Sequence, residues 1–175
     1  MGERRKEILN EITTRSWKEK VVVKLSEING YGLFAKVNIK KGELVCEYEG
    51  ECITESEARD REIQYAEEQS ACVLLYFYAH GLGKRVIDPT ATESESKRIN
   101  HCINPNLIPR VYLTDQQPRV VFLANEHIAE GAELFFNYFA GEKKAAYSEI
   151  SWANYKRVST YHIYFLNLTL KLCSR

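Results

Sequence analysis

Short β-prone runs broken by turn signals, with few helical stretches, predict a mostly-β domain with small helices (α+β). Three observations carry that reading. Val21-Val22-Val23-Lys24-Leu25 is rich in β-branched residues, and Asn29-Gly30 after it is a dipeptide suited to a tight hairpin turn with positive φ at both central residues. The runs 72–78 and 120–124 are apolar or aromatic and of strand length. Helical patterning is confined to a few short segments. A length of 175 residues fits one domain with a sizeable core.

Taken in order, residues 3–15 set Ile8, Leu9 and Ile12 among charges, the spacing of a short amphipathic helix. The first hairpin then pairs 21–25 with a return strand at 33–35. A second hairpin-like unit is expected from 44–48 through a turn near Gly50 to Cys52-Ile53. Thr54 or Ser56 can cap the helix that follows, with Glu55 and Glu57 in a first turn that favours negative charge, and this helix runs to about Glu67. Strands are expected at 72–78 and at 85–87, the latter ending on Asp88-Pro89. Residues 93–99 read as a short helix and 100–109 as loop, because the latter holds three asparagines and two prolines. Pro118 precedes the strand at 120–124, and 132–138 reads as the last strand of the core. Gly141 opens a charged, helical segment reaching about Lys156. The apolar tail 158–175 is too short and too interrupted by polar residues to cross a membrane. An extra strand, a partner-binding segment and an aberrant C-terminus all remain open for it.

Lys+Arg and Asp+Glu both number 24, so net charge points to no class of partner. The distribution is more informative. Six glutamates (Glu43, Glu47, Glu49, Glu51, Glu55 and Glu57) follow one another with no Lys or Arg between the first and the last. They are either a solvated acidic face or a surface that attracts a basic peptide and disfavours naked nucleic acid. The five cysteines form no C-x-x-C pair, which supports neither a disulfide framework nor a zinc site and suits a reducing compartment, cytosol or nucleus. The charged start Met1-Gly2-Glu3-Arg4-Arg5 lacks the apolar core of a signal peptide, and no Ser/Thr supports myristoylation.

Four segments in order resemble the motifs of SET-domain protein lysine methyltransferases. Gly30-Tyr31-Gly32 sits where that family has its N-terminal G-x-G, and Glu47-Tyr48-Glu49-Gly50 resembles E-Y-x-G. Asn100-His101-Cys102 with Pro105-Asn106 resembles N-H-S-C-x-P-N, and Glu133-Leu134-Phe135-Phe136-Asn137-Tyr138 resembles E-L-x-[FY]-[DN]-Y. The likeness covers roughly 20–140. Its flanks are similar to the animal histone H4 lysine methyltransferases: a charged N-terminal helix, and Gly141-Glu142-Lys143-Lys144-Ala145 followed by Trp152. Cys173 is the only cysteine after Cys102, so the cysteine-rich zinc segment of many relatives has no counterpart and no metal is expected.

The resemblance implies a fold of short sheets with a C-terminal pseudoknot, in which the strand before Tyr138 crosses the loop at Asn100 and His101. It divides the chain into an N-terminal flanking helix (1–20), the SET domain (21–140), a C-terminal flanking helix (141–157) and the tail (158–175). It implies S-adenosylmethionine as methyl donor and a histone tail peptide or nucleosome as partner. No sequence-specific nucleic acid, no membrane and no second copy is expected, and the location is the nucleus and chromosome. Tyr138 aligns with the catalytic tyrosine, and rings of Tyr48, Tyr76, Phe136 and Tyr138 would wall the lysine channel, where aromatic faces favour a cationic guest. Asn29, Gly30, Tyr31, Asn100 and His101 align with cofactor-binding positions. Trp152 would stack on the adenine or anchor the terminal helix.

Phe136 lies two residues before Tyr138, where the family has a phenylalanine/tyrosine switch. Tyrosine there restricts the product to one methyl group, as in the H4 enzymes; phenylalanine leaves room for di- and trimethylation. Other departures are Cys102 for serine, Val73 for an aromatic, Asn29 and Tyr31 for basic residues, and Arg98 for leucine. These keep two alternatives: a catalytically inactive SET module that binds chromatin or partner proteins, and a methyltransferase of non-histone proteins.

Overall fold

The computed structural model describes residues 2–68, 73–115, 117–138 and the backbone of 163–164. Strands dominate it, with two α-helices among the described residues, in agreement with the mostly-β class. The chain divides into two compact units, Met1–Glu49 with Glu93–Asn137 and Gly50–Thr92 with Tyr138–Arg175.

The first unit opens with α1 (Glu3–Thr14), which buries Ile8 and Ile12, one turn apart on a single face. Arg15 ends the helix in the left-handed region at φ 57°, and a 3-10 helix over Ser16–Lys20 drops Trp17 fully into the core. β1 (Val21–Leu25) and β2 (Tyr31–Ala35) then pair antiparallel, Val21 against Ala35 and Leu25 against Tyr31. The expected two-residue turn is not what joins them. The connection is the five-residue loop 26–30, closed by Ser26 N–H donating to Gly30 O at 2.8 Å, and only Gly30 in it has positive φ, 51°. Its geometry is set by the Ser26 side chain, whose oxygen accepts from the N–H groups of Ile28 (3.0 Å) and Asn29 (3.4 Å).

The expected second hairpin also does not form. β3 (Leu44–Glu47) joins a three-stranded sheet of order β3-β9-β8, where β8 is Leu107–Thr114 and β9 is Gln117–Ala124. The start of β8, Leu107–Pro109, reads as loop in sequence, yet β8 pairs with β9 over its whole length, Leu107 against Ala124 to Thr114 against Gln117. Its Pro109 is tolerated because β8 is an edge strand; Pro118 of β9 lies beyond the last pairing with β3, Glu47 against Val121. A 3-10 helix over Glu95–Arg98 leads into β7 (Asn100–His101). β7 pairs in parallel with β10 (Phe135–Phe136), Phe135 against Asn100 and Phe136 against His101. Of the strand expected over 132–138, only this pair is regular; Glu133 forms an isolated bridge to Phe34, and Leu134 N–H donates to Leu33 O at 2.8 Å.

The second unit holds β4 (Glu51–Ile53), α2 (Glu55–Glu67), β5 (Leu75–Ala79) and β6 (Gly83–Asp88). Thr54 caps α2 in a full capping box: its hydroxyl accepts from Glu57 N–H at 3.3 Å, and Glu57 Oε2 accepts from Thr54 N–H at 2.8 Å. The helix packs Ala58 and Tyr65 on Ile53, Leu74 and Val86. β6 lies between β4 and β5, and β5 also pairs in parallel with β11 (Ile163–Tyr164) in the tail. Cys72, at the start of the expected strand 72–78, and the helix expected over 141–156 lie outside the described residues.

Candidate functional site

Two clusters in the first unit gather most of the residues singled out by motif. The first is a polar cradle around Asn100, itself 7% exposed. Asn100 Nδ2 donates to Glu133 Oε1 at 2.8 Å and points at the carbonyl oxygens of Asn29 (3.3 Å) and Tyr31 (3.5 Å). The other oxygen of Glu133 accepts from the Ser26 hydroxyl at 3.0 Å, so one carboxylate ties Asn100 to the loop 26–30. Among the described residues, every hydrogen bond of the Asn100 side chain runs through Nδ2, which leaves Oδ1 for an incoming donor. Gly32 is required here for space: a Cβ would strike the Glu133 carboxylate and lie 3.2 Å from Asn100 Nδ2. Gly30 faces open space, and its role is conformational, through φ 51°.

The second cluster is aromatic. Phe122 on β9 meets Tyr48 edge-on, ring centroids 6.1 Å apart at 82°, and Phe136 at 4.8 Å and 43°. All three are buried, at 2% exposure or less. The β3–β9 register places Tyr48, whose N–H donates to Val120 O at 2.8 Å. Beside it the buried Glu47 carboxylate takes a two-pronged bond from Arg119, through Nε and through Nη2 at 2.7 Å.

The β7–β10 pair joins these clusters, since Asn100 belongs to the cradle and its neighbour His101 sits beside Phe136. Cys102 N–H donates to Phe136 O at 3.2 Å. Burial holds the His101 imidazole below the ordinary histidine range, partly opposed by its hydrogen bond to the Phe136 backbone. Asn106 fastens the same segment from below, donating to Glu133 O and accepting from Phe135 N–H, both at 2.8 Å.

Tyr138 and Tyr76 belong to the second unit, and Trp152 lies outside the described residues. Tyr138 is half-buried in a turn. Tyr76 donates its hydroxyl to Glu62 on α2. In the same unit Asp88, nearly unexposed, accepts from Arg61 Nη1 and Tyr65 Oη at 2.7 Å and from Thr90 N–H at 2.9 Å. A Cβ on Gly50 would lie 2.5 Å from Asp88 O, which accounts for the glycine closing E-Y-x-G.

The acidic run is spoken for internally. Glu43 accepts from Lys40 N–H, Glu47 from Arg119, Glu49 pairs with Arg15 and Lys18, Glu51 with Arg61, Glu55 with Arg59 and Lys84, and Glu57 caps α2. Glu47 is buried, whereas Glu51 and Glu57 remain exposed, so the run is not one uniform face. The residues that sequence reasoning assigned no role are Ser26, Phe122, Asn106 and Glu133. The last two stand inside quoted motifs, whereas Ser26 and Phe122 carry no local signal.

The family model described as "SET domain" matches residues 30–139. The chain belongs to the SET-domain family. The SET match starts at the glycine of the 26–30 loop and takes in the aromatic cluster and, of the cradle, Tyr31, Asn100 and Glu133. Among relatives, the chain is 37% identical over 110 residues to Histone-lysine N-methyltransferase Set8 of Drosophila pseudoobscura pseudoobscura, which covers 62% of this chain and 16% of that protein. It is 41% identical over 110 residues to the mouse (Mus musculus) Histone-lysine N-methyltransferase, H3 lysine-36 specific, over 62% of this chain and 4% of that one. Among solved structures, CpSET8 from Cryptosporidium superposes with TM-score 0.62 at 34% identity, covering 67% of this chain and 56% of that one. The Chaetomium thermophilum Polycomb Repressive Complex 2, in a form bound to S-adenosylmethionine, gives TM-score 0.59 at 36% identity over 67% of this chain and 15% of that one. This SET chain thus spans only a part of each of these proteins.

Proposed function

We propose that this chain is an S-adenosylmethionine-dependent histone lysine N-methyltransferase, with 21–140 as its SET domain. The observation that carries the reading is the β7–β10 pair, which joins a polar cradle to an aromatic cluster through the adjacent residues Asn100 and His101. The cradle chemistry fits the amino-acid end of the cofactor. Asn100 Oδ1 and the carbonyls of Asn29 and Tyr31 are acceptors for an ammonium group, and Gly30 beside them faces open space. The solved relative bound to S-adenosylmethionine, matched over 67% of this chain, supports the same choice.

S-adenosylmethionine supplies an electrophilic methyl group on a sulfonium sulfur. This chain's part is to hold a lysine amine in line with that methyl and keep water out, and positioning of this kind can lower a barrier by roughly 7–11 kcal/mol. A lysine ammonium has an ordinary pKa of about 10.4 and must lose its proton, which apolar surroundings favour. Tyr48 and Phe136 provide such surroundings, and their ring faces also accept the methylated ammonium product. Tyr138, at the end of its motif, is the catalytic residue, its hydroxyl orienting the amine nitrogen. His101 would offer its main chain to the adenine edge of the cofactor.

The substrate is a histone tail, bound in the nucleus on chromatin. The H4 tail is the specific assignment, on the likeness of the charged N-terminal helix to the H4 enzymes. Phe136 favours di- and trimethylation. A panel of core histones and nucleosomes with a labelled methyl donor tests the function. Label on H4 supports the reading; label on H3 moves the substrate, as the H3 lysine-36 relative would suggest. Cofactor binding without label on any histone overturns the histone assignment, in favour of a non-histone substrate or an inactive binding module.

A further inference from the structure

We infer that Arg98 is the residue that binds the carboxylate of the cofactor's methionine end, an inference that rests on the reading above. The cradle around Asn100 is built from acceptors: the carbonyls of Asn29 and Tyr31, the Asn100 amide oxygen and the Glu133 carboxylate. Such a set suits the ammonium of an α-amino acid and repels its carboxylate, one carbon away. A cation beside the cradle would offset that repulsion.

Arg98 ends the 3-10 helix Glu95–Arg98, and Ile99 after it is extended, at φ −67° and ψ 119°. In extended chain, alternate residues share a side. Ile99 is buried in the core at 2% exposure, and its neighbours Arg98 and Asn100 both approach Tyr31 of β2. The Arg98 guanidinium carbon lies 5.9 Å from the Tyr31 ring centroid, within reach of a cation–π contact. Tyr31 thus holds both parts, its carbonyl facing Asn100 and its ring carrying Arg98. Tyr31 is 54% exposed, Arg98 is exposed, and Arg98 makes no ion pair among the described residues, so its charge is available to a ligand. A planar guanidinium can grip a carboxylate through two parallel N–H bonds. Positive charge that positions 29 and 31 lack, with Asn and Tyr there, is supplied from position 98.

The test compares S-adenosylmethionine with its decarboxylated analogue by calorimetry, on the wild type, Arg98→Ala and Arg98→Lys. The wild type should bind S-adenosylmethionine about tenfold or more tightly than the analogue, as expected for one charged hydrogen-bonded contact. Arg98→Ala should lose that preference by weakening S-adenosylmethionine alone, with its melting temperature unchanged, and Arg98→Lys should recover part of it. Equal loss for both ligands in Arg98→Ala, or no preference in the wild type, overturns the assignment. Binding of neither ligand to the wild type removes the cofactor reading itself, and this inference with it.

Discussion

Glu133 joins Asn100 and Ser26, residues 74 positions apart in the chain, through the two oxygens of one carboxylate, at 2.8 and 3.0 Å. Removing it leaves the Asn100 amide and the Ser26 hydroxyl without that acceptor, a loss of about 1–3 kcal/mol where the group is buried. Glu133→Ala should lower S-adenosylmethionine affinity about tenfold or more on that scale. Glu133→Gln, which keeps one acceptor, should lose less. Calorimetry with a melting curve checks both, and an unchanged affinity in Glu133→Ala would show that the cradle does not depend on this link.

Phe136 is 1% exposed and packs on Phe122. A tyrosine in its place introduces a buried hydroxyl, costing roughly 1–3 kcal/mol unless water or a side chain satisfies it. Phe136→Tyr should therefore melt lower and restrict the product to one methyl group. Mass spectrometry of the product peptide is the readout, and a variant that still makes di- and trimethyl-lysine would contradict the switch.

Burial alone would raise the Asp88 carboxyl, but the bonds from Thr90, Arg61 and Tyr65 outweigh it and hold it below the ordinary carboxylate range. Since the folded pKa is the lower one, this group stabilises the protein above the unfolded value of about 3.9 and ceases to do so as pH falls through the folded value. Asp88→Asn should cost about 3 kcal/mol at pH 7, near the lower end for breaking a buried pair because Arg61 is 30% exposed and can rehydrate. Denaturant unfolding across pH 2–7 should show a flatter acid limb for the variant, over a window set by these reference values. An unaltered limb would mean that Asp88 does not couple folding to protonation.

The parts of the fold written in local chemistry were legible. Thr54 and Glu57 announce the capping box of α2, and the valines of β1 announce a strand. What failed depends on distant partners. The Asn29-Gly30 dipeptide suggests a two-residue turn, but Ser26 and its bond to Glu133, 107 residues away, set a five-residue loop. The prolines that disguised β8 and the start of β9 are harmless only because of strand order, which no local pattern states. At the site, the motifs bring Asn100, Tyr48 and Phe136 to notice, whereas Phe122 acts as hub of the aromatic cluster purely through its register against Cys46.

The most direct test of the whole account is the mass of a histone H4 tail incubated with S-adenosylmethionine and either wild type or Tyr138→Phe. Two or three methyl groups on a single lysine are expected with the wild type, and none with Tyr138→Phe at an unchanged melting temperature. An unmodified H4 tail with the wild type, or near-wild-type transfer by Tyr138→Phe, would contradict it.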